Sequence, residues 1–135
     1  MKVYVFGNQD LESDNIAFEA ADLLKNDYPR IQFIKIKPNE DLPFASDETG
    51  QKVVIIDAVE GIRMVTLIED INKFILPPRS TVHDFDLSFQ LKYLKKIGRL
   101  GEVLIIGLPM QRELIDYSRI HSILRKLVAQ DIQGS

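Results

Sequence analysis

At 135 residues, 45% hydrophobic and 27% charged, the chain has the length and composition of one globular domain with its own core, too apolar to stay disordered. It contains no cysteine, which excludes disulfides, cysteine-zinc sites and thiol nucleophiles, so any metal site must draw on His, Asp or Glu. The formal charge of -3 carries no electrostatic footprint for nucleic acid, and the nearest basic cluster, Lys92, Lys95 and Lys96, is expected on the solvated face of a helix.

The chain opens on "MKVYVFG", without the apolar h-region and cleavage site of a signal peptide, and no apolar run approaches the roughly 20 residues that span a bilayer. A cytoplasmic location is the expectation. Val3 to Phe6 reads as a short buried strand ended by Gly7-Asn8. The next residues supply Asp10, Glu12 and Asp14 and lead into a helix whose face is expected at Ile16, Ala20, Leu23, Leu24 and Tyr28. Ser13 or Asp14 is the expected N-cap, because a short oxygen side chain accepts the free amides of the first turn, and Pro29 is the expected stop.

"IQFIKIK", residues 31 to 37, alternates apolar and polar side chains like a half-buried strand near the sheet edge, and 38 to 50 reads as a loop. "KVVIIDAVEG" is an unbroken β-branched run, as in a central strand covered on both faces, with Asp57 at its carboxyl end. "RMVTLIED", from Arg63, is strand-like but follows too closely for a helical crossover, so it should be antiparallel. After the Pro77-Pro78 loop a helix is expected from about His83 to Ile97, with Gly98 and Gly101 bracketing its end. "EVLIIGLP", residues 102 to 109, reads as a second buried strand. A last helix, from about Arg112 to Val128, places Leu114, Tyr117, Ile120, Leu124, Leu127 and Val128 on one stripe, and 130 to 135 should fray.

Strands alternating with helices imply a single α/β domain over 1-135, a three-layer α/β/α sandwich whose mostly parallel central sheet carries one antiparallel strand. In such sheets sites lie beyond the carboxyl ends of the strands. That rule directs Asp14, Asp57 and His83, from three separate segments, to one edge. Two carboxylates and an imidazole suffice to hold a divalent transition metal with positions left for water or substrate. A helix N-terminus beside His83 disfavours its protonated form and helps keep a ring nitrogen free to coordinate. Singly, each has a plainer role: Asp14 as a cap, Asp57 as a turn former, His83 as a loop residue.

Asp10 and Glu12 are either a solvated acidic loop or helpers of the site, orienting a ligand or serving as general base. His121, between Ile120 and Ile123 on the last helix, reads as a surface or packing histidine away from that edge. No G-x-G-x-x-G, G-x-x-x-x-G-K-[ST] or G-x-S-x-G occurs, which leaves Gly7-Asn8 without a phosphate-binding motif and Ser80 and Thr81 as helix caps.

Gly7-Asn8 after the first strand, Asp14 opening the first helix, Asp57-Ala58 closing "VVIIDA", His83 in "STVHDFDLSFQL" and the later "VLIIGLP" together resemble the nickel-iron hydrogenase maturation endopeptidases, in the same order and over most of the chain. The resemblance implies an α/β/α domain in which Asp14, Asp57 and His83 are the catalytic set and bind nickel. In that family the nickel is thought to belong to the precursor of the hydrogenase large subunit, the partner from which a C-terminal peptide is removed. Other divalent transition metals would be substitutes. The sequence differs in having Ser13-Asp14-Asn15 where the family usually has two adjacent acids and a glycine, Ala17 where another glycine is common, and "KPNEDLPF" in place of an Asp-Gly-Gly-Thr-like segment.

Two alternatives stay open. One is a non-enzymatic receiver-like signalling module, with Asp57 as phospho-acceptor and Asp10 as a metal-side acid, although "IIGLP" lacks the lysine before a proline that receivers carry after the last strand. The other is an assembly chaperone of the same fold without catalysis.

Overall fold

The computed structural model describes residues 1–7, 15–37, 53–59, 61–69 and 102–134. Expectations for Asn8, Asp10, Glu12, Ser13, Asp14, the 38–50 loop, Ser80, Thr81, His83, the 83–97 helix, its three lysines, Gly98 and Gly101 fall outside those residues. The described elements are β1 (Lys2–Phe6), α1 (Ile16–Leu24), β2 (Gln32–Ile36), β3 (Val53–Val59), β4 (Thr66–Ile68), β5 (Val103–Pro109), a 3-10 turn (Arg112–Leu114) and α2 (Tyr117–Gly134).

The strands form a five-stranded sheet in the order β2-β1-β3-β5-β4. β1 runs parallel to β2 and β3, and β3 parallel to β5. β4 closes the far edge antiparallel to β5, with Thr66 opposite Gly107 and Ile68 opposite Ile105. The antiparallel strand is therefore present. It is only three residues long, and its described neighbour is β5, the second buried run. β3 and β5 are buried at every position, as an apolar β-branched run in mid-sheet requires, whereas edge strand β2 has Gln32 and Lys35 exposed, Phe33 and Ile34 half-buried and only Ile36 buried.

Because side chains alternate along a strand, each face of the sheet has its own core. One face carries Val3, Val5, Val54, Ile56, Leu104, Ile106 and Leu108, packed against α1 and against Ile120, Leu124 and Leu127 of α2. The other carries Tyr4, Phe6, Ile36, Val53, Ile55, Val59, Val103 and Ile105. Both faces are buried, as the α/β/α reading requires.

The helices depart from expectation at their ends. α1 is described from Ile16, preceded by Asn15, whose side chain makes no cap hydrogen bond, and the helix ends at Leu24, before Tyr28 and Pro29. Its buried face is Ile16, Ala17, Phe18, Ala20, Ala21 and Leu24, while Leu23 is 62% exposed. The stripe is thus centred on Ala17, Ala21 and Leu24, which turns Leu23 past its rim. α1 is bound to the edge strand from outside the core: Asp22 Oδ1 lies 2.8 Å from Lys35 Nζ, and that ammonium stands 5.4 Å from the centre of the Phe18 ring.

α2 starts at Tyr117, after the 3-10 turn has used up Arg112–Leu114. Asp116 Oδ1 accepts hydrogen bonds from the amides of Ser118 (3.0 Å) and Arg119 (3.4 Å), an N-cap that satisfies two of the free donors of the first turn. The helix continues to Gly134, so the expected fraying from residue 130 is replaced by helical backbone. Nothing from Gln130 to Gln133 is a helix breaker, and Gly134 closes the helix. Among the described residues no helix is long and apolar enough to cross a membrane.

Candidate functional site

The chain passes from β1 outward to β2 and then returns to place β3 on the other side of β1. At such a reversal the connections leaving the two carboxyl ends diverge and open a crevice, the usual ligand position of an open α/β sheet. The connection leaving β1 is the one whose sequence carries Asp10, Glu12 and Asp14. Asp57 belongs to the strand on the other side of the crevice.

Asp57 lies two residues inside β3, with Ala58 and Val59 continuing the pairing to Leu108 and Pro109, so it is less terminal than the sequence suggested. Its level explains why it still belongs to the edge. β1 and β3 pair Tyr4 with Ile55 and Val5 with Ile56; one step further sets Phe6, the last residue of β1, level with Asp57. β3 outlasts its neighbour there.

The two-residue alternation puts Asp57 on the face of Val53, Ile55 and Val59, opposite to α1 and α2. It is 2% exposed and is the buried charged residue of the described core. Burying a carboxylate in apolar surroundings is costly unless a cation or hydrogen-bond donors compensate it. Gly107 stands opposite Asp57 on β5. A Cβ there would come within 3.2 Å of Val59 Cγ2 and 3.3 Å of Ile62 Cδ1, so glycine keeps the row beside the carboxylate from overfilling.

Of the residues singled out from sequence, the structure thus places Asp57 at the switch point, while Asp14, His83, Asp10 and Glu12 fall outside the described residues. Among the described residues no three His, Asp or Glu side chains converge as a metal-binding group. His121 has the packing role expected of it. Its ring stacks on Tyr28 with centroids 5.5 Å apart, its Nδ1 lies 2.8 Å from Tyr28 Oη, and its Nε2 lies 3.9 Å from Asp27 Oδ2. Burial raises the Tyr28 phenol above the ordinary tyrosine range, with the Arg125 guanidinium opposing the shift. The Ile31 amide bonds the Tyr28 carbonyl and the Gln32 amide bonds that of Met1, which puts the pair toward the amino ends of the strands, away from Asp57.

Two features had no signal in the sequence. The first is an ion pair between the turn after β5 and the first turn of α1: Arg112 Nε donates to Glu19 Oε2 at 2.7 Å and a terminal guanidinium nitrogen donates to Oε1 at 3.2 Å. The Tyr117 hydroxyl beside them is raised above the usual tyrosine range by burial and by the Glu19 carboxylate, with Arg112 opposing. The second is a groove of about 730 Å³ between β4 and α2, whose lining includes Met64, Leu67, Leu104, Ile123 and Leu127. Leu67 and Leu104 face the helices, so the groove opens on the side of the sheet opposite to Asp57 and does not include it.

The fold and the buried carboxylate define the chain as a doubly wound α/β domain with an acidic group at its switch point. No family model and no curated protein matches the chain. Among solved structures it is similar to an uncharacterized protein from Wolinella succinogenes, at 15% identity over 98% of this chain and 96% of that one, with a TM-score of 0.49. It is also similar to a hydrogenase 2 maturation peptidase from Thaumarchaeota archaeon SCGC_AB-539-E09, at 25% identity over 99% of this chain and 97% of that one, with a TM-score of 0.44. At these TM-scores both likenesses are loose, and the fold stands on the chain's own topology.

Proposed function

We propose that the chain is a metal-dependent endopeptidase that removes a C-terminal peptide from the nickel-loaded precursor of a nickel-iron hydrogenase large subunit. The observation that carries the reading is the buried carboxylate of Asp57 at the switch point, in the position and sequence setting that the family resemblance assigns to a nickel ligand. In this reading that carboxylate is one of the ligands of a nickel ion brought by the substrate. Asp14 and His83 complete the ligand set in this reading. The donor types suit the metal: carboxylate oxygen and imidazole nitrogen bind divalent nickel, and with no cysteine in the chain thiolate chemistry plays no part.

Held there, the substrate's nickel polarises the scissile carbonyl or lowers the pKa of a water beside it. The water adds to the carbonyl carbon, the C–N bond breaks, and the leaving amine takes a proton. Asp10 or Glu12 accepts the water's proton in this scheme. The partner is therefore a protein, and metal loading of that protein is part of what is recognised.

The test is a cleavage assay with the full chain on hydrogenase large-subunit precursors, with and without nickel, read by mass. Nickel-loaded precursor should be shortened and nickel-free precursor left intact. His83→Ala should abolish shortening, by at least about 10²-fold, with an unchanged circular dichroism spectrum. Full processing by that variant, or no processing of any nickel-loaded precursor by the unaltered chain, would overturn the reading. The receiver-like alternative predicts instead a stable acyl phosphate on Asp57 after incubation with a small phosphodonor. The topology departs from that class, since receivers follow the order 2-1-3-4-5, whereas here β4 and β5 exchange places and β4 is antiparallel.

A further inference from the structure

We propose that the outer edge of β4 is a docking site for an extended polypeptide segment, which joins the sheet as an added strand and sends alternate side chains into the groove beside α2. That the segment belongs to the hydrogenase precursor rests on the peptidase reading; the docking geometry does not.

β4 ends the strand order, and among the described residues nothing pairs with its outer edge. An edge strand leaves backbone N–H and C=O groups without a ladder partner, and an extended peptide satisfies them by strand addition. The opposite edge is guarded by charge: β2 carries Lys35, whose ammonium lies on Asp22. β4 has no such guard. From Val65 to Ile68 the chain is uncharged, and Thr66, Leu67 and Ile68 are each only half-buried.

The edge is also held ready. Arg119 Nε donates to the Val65 carbonyl at 2.5 Å and Thr66 Oγ1 donates to the Met64 carbonyl at 2.9 Å, which fixes the backbone where β4 begins. A preset strand costs an incoming segment less in ordering. Leu67 turns toward α2 and Ile68 toward the opposite face, and an added strand follows the same alternation. Its α2-facing side chains meet the groove of about 730 Å³, where Met64, 59% exposed, stands with Leu67, Leu104, Ile123 and Leu127. The charges of the groove are sorted along β4: Arg119 lines the Val65 end and Glu69 and Glu102 the far end, with Lys126 about two helical turns beyond Arg119. Two carboxylates against one ammonium favour a basic side chain at the far end.

Thr66 is opposite Gly107 and Gly107 opposite Asp57, so β4 begins at the level of Asp57, about 10 Å away across two strand spacings. A strand added to β4 lies about 14 Å from β3, a distance that about four extended residues cover. The edge is therefore a holding contact, separate from the bond to be cut.

The experiment selects displayed random linear peptides on the unaltered full chain and measures amide exchange with the selected peptides bound. These should carry apolar side chains at alternate positions and a basic residue toward one end, and should slow exchange within Thr66, Leu67 and Ile68 about 5-fold, with the β2 amides unchanged. Met64→Lys, a change at an exposed side chain, should keep the fold and weaken their binding about 10-fold. On nickel-loaded hydrogenase precursor the same variant should raise KM about 10-fold with kcat within about twofold. Failure to select any peptide, protection of β2 in place of β4, unchanged binding by Met64→Lys, or a loss in kcat at constant KM would each overturn the proposal. If the unaltered chain cleaves no precursor, the peptidase reading falls, and the peptide measurements still decide whether β4 docks a strand.

Discussion

Asp57→Asn should abolish nickel-dependent processing while leaving the fold at least as stable as before. The amide has the size of the carboxylate but not its charge, and a charge at a position 2% exposed, between Ile55 and Val59 on one face of β3, carries a desolvation penalty that the amide avoids. Metal-dependent activity should drop by at least about 10²-fold, since even residues that only support a ligand typically cost 10- to 100-fold. If removing the charge relieves about 1 kcal/mol, the melting temperature rises by roughly 2–6 °C for a chain of this size. Thermal melts and the precursor assay on the same sample check both halves. Retained processing would remove Asp57 from the site, and a fall of about 10 °C or more would make it a structural carboxylate instead.

Ile56→Ala should be among the damaging truncations in the sheet, at about 3–4 kcal/mol. Ile56 is 0% exposed, pairs with Val5 on one side and Ile106 on the other, and belongs to the core that α1 and α2 cover. The lost methyl and methylene groups leave a cavity that the rigid neighbouring strands cannot collapse into. Against a typical total of about 5–15 kcal/mol the loss is a large fraction of the stability. Urea unfolding should show it as a lower midpoint at constant slope. Leu23→Ala is the matched control: the side chain is 62% exposed, and its loss should stay within about 0.5 kcal/mol. A loss below about 1 kcal/mol for Ile56→Ala would contradict the central place of β3.

The central strands were legible because their sequences leave little choice. "VVIIDAV" and "VLIIGLP" are apolar on both alternating faces, and only a mid-sheet position buries both. The alternation in "IQFIKIK" likewise marked an edge. Helix ends were less readable, since capping depends on which of several oxygen side chains reaches the free amides: Asp116 caps α2 and delays it past Arg112 and Leu114. In α1 the buried face runs through Ala17 and Ala21 rather than Leu23, because small alanines carry the close contact with the sheet and hydrophobicity alone ranks them below leucine.

At the site, a charged residue interrupting an otherwise apolar strand was a strong signal, and Asp57 is where that signal pointed. The Arg112 and Glu19 fork was invisible, because two ordinary surface residues 93 positions apart have no periodicity in common. Only the return of β5 beside β3 brings their turns together.

The sheet order also sets a timetable for a chain emerging from the ribosome. β1, α1 and β2 are neighbours in sequence and can associate early, but β3 finds its second neighbour in β5, aligned from Val53 opposite Val103 to Val59 opposite Pro109. Until residues 103–109 are made, a strand apolar on both faces has an open flank, the kind of segment that recruits other nascent chains. A chain ending at residue 101 should therefore stay unfolded or aggregate, with no cooperative melting transition, whereas the full chain melts cooperatively. The last third of the gene is thus what releases the middle third from its exposure.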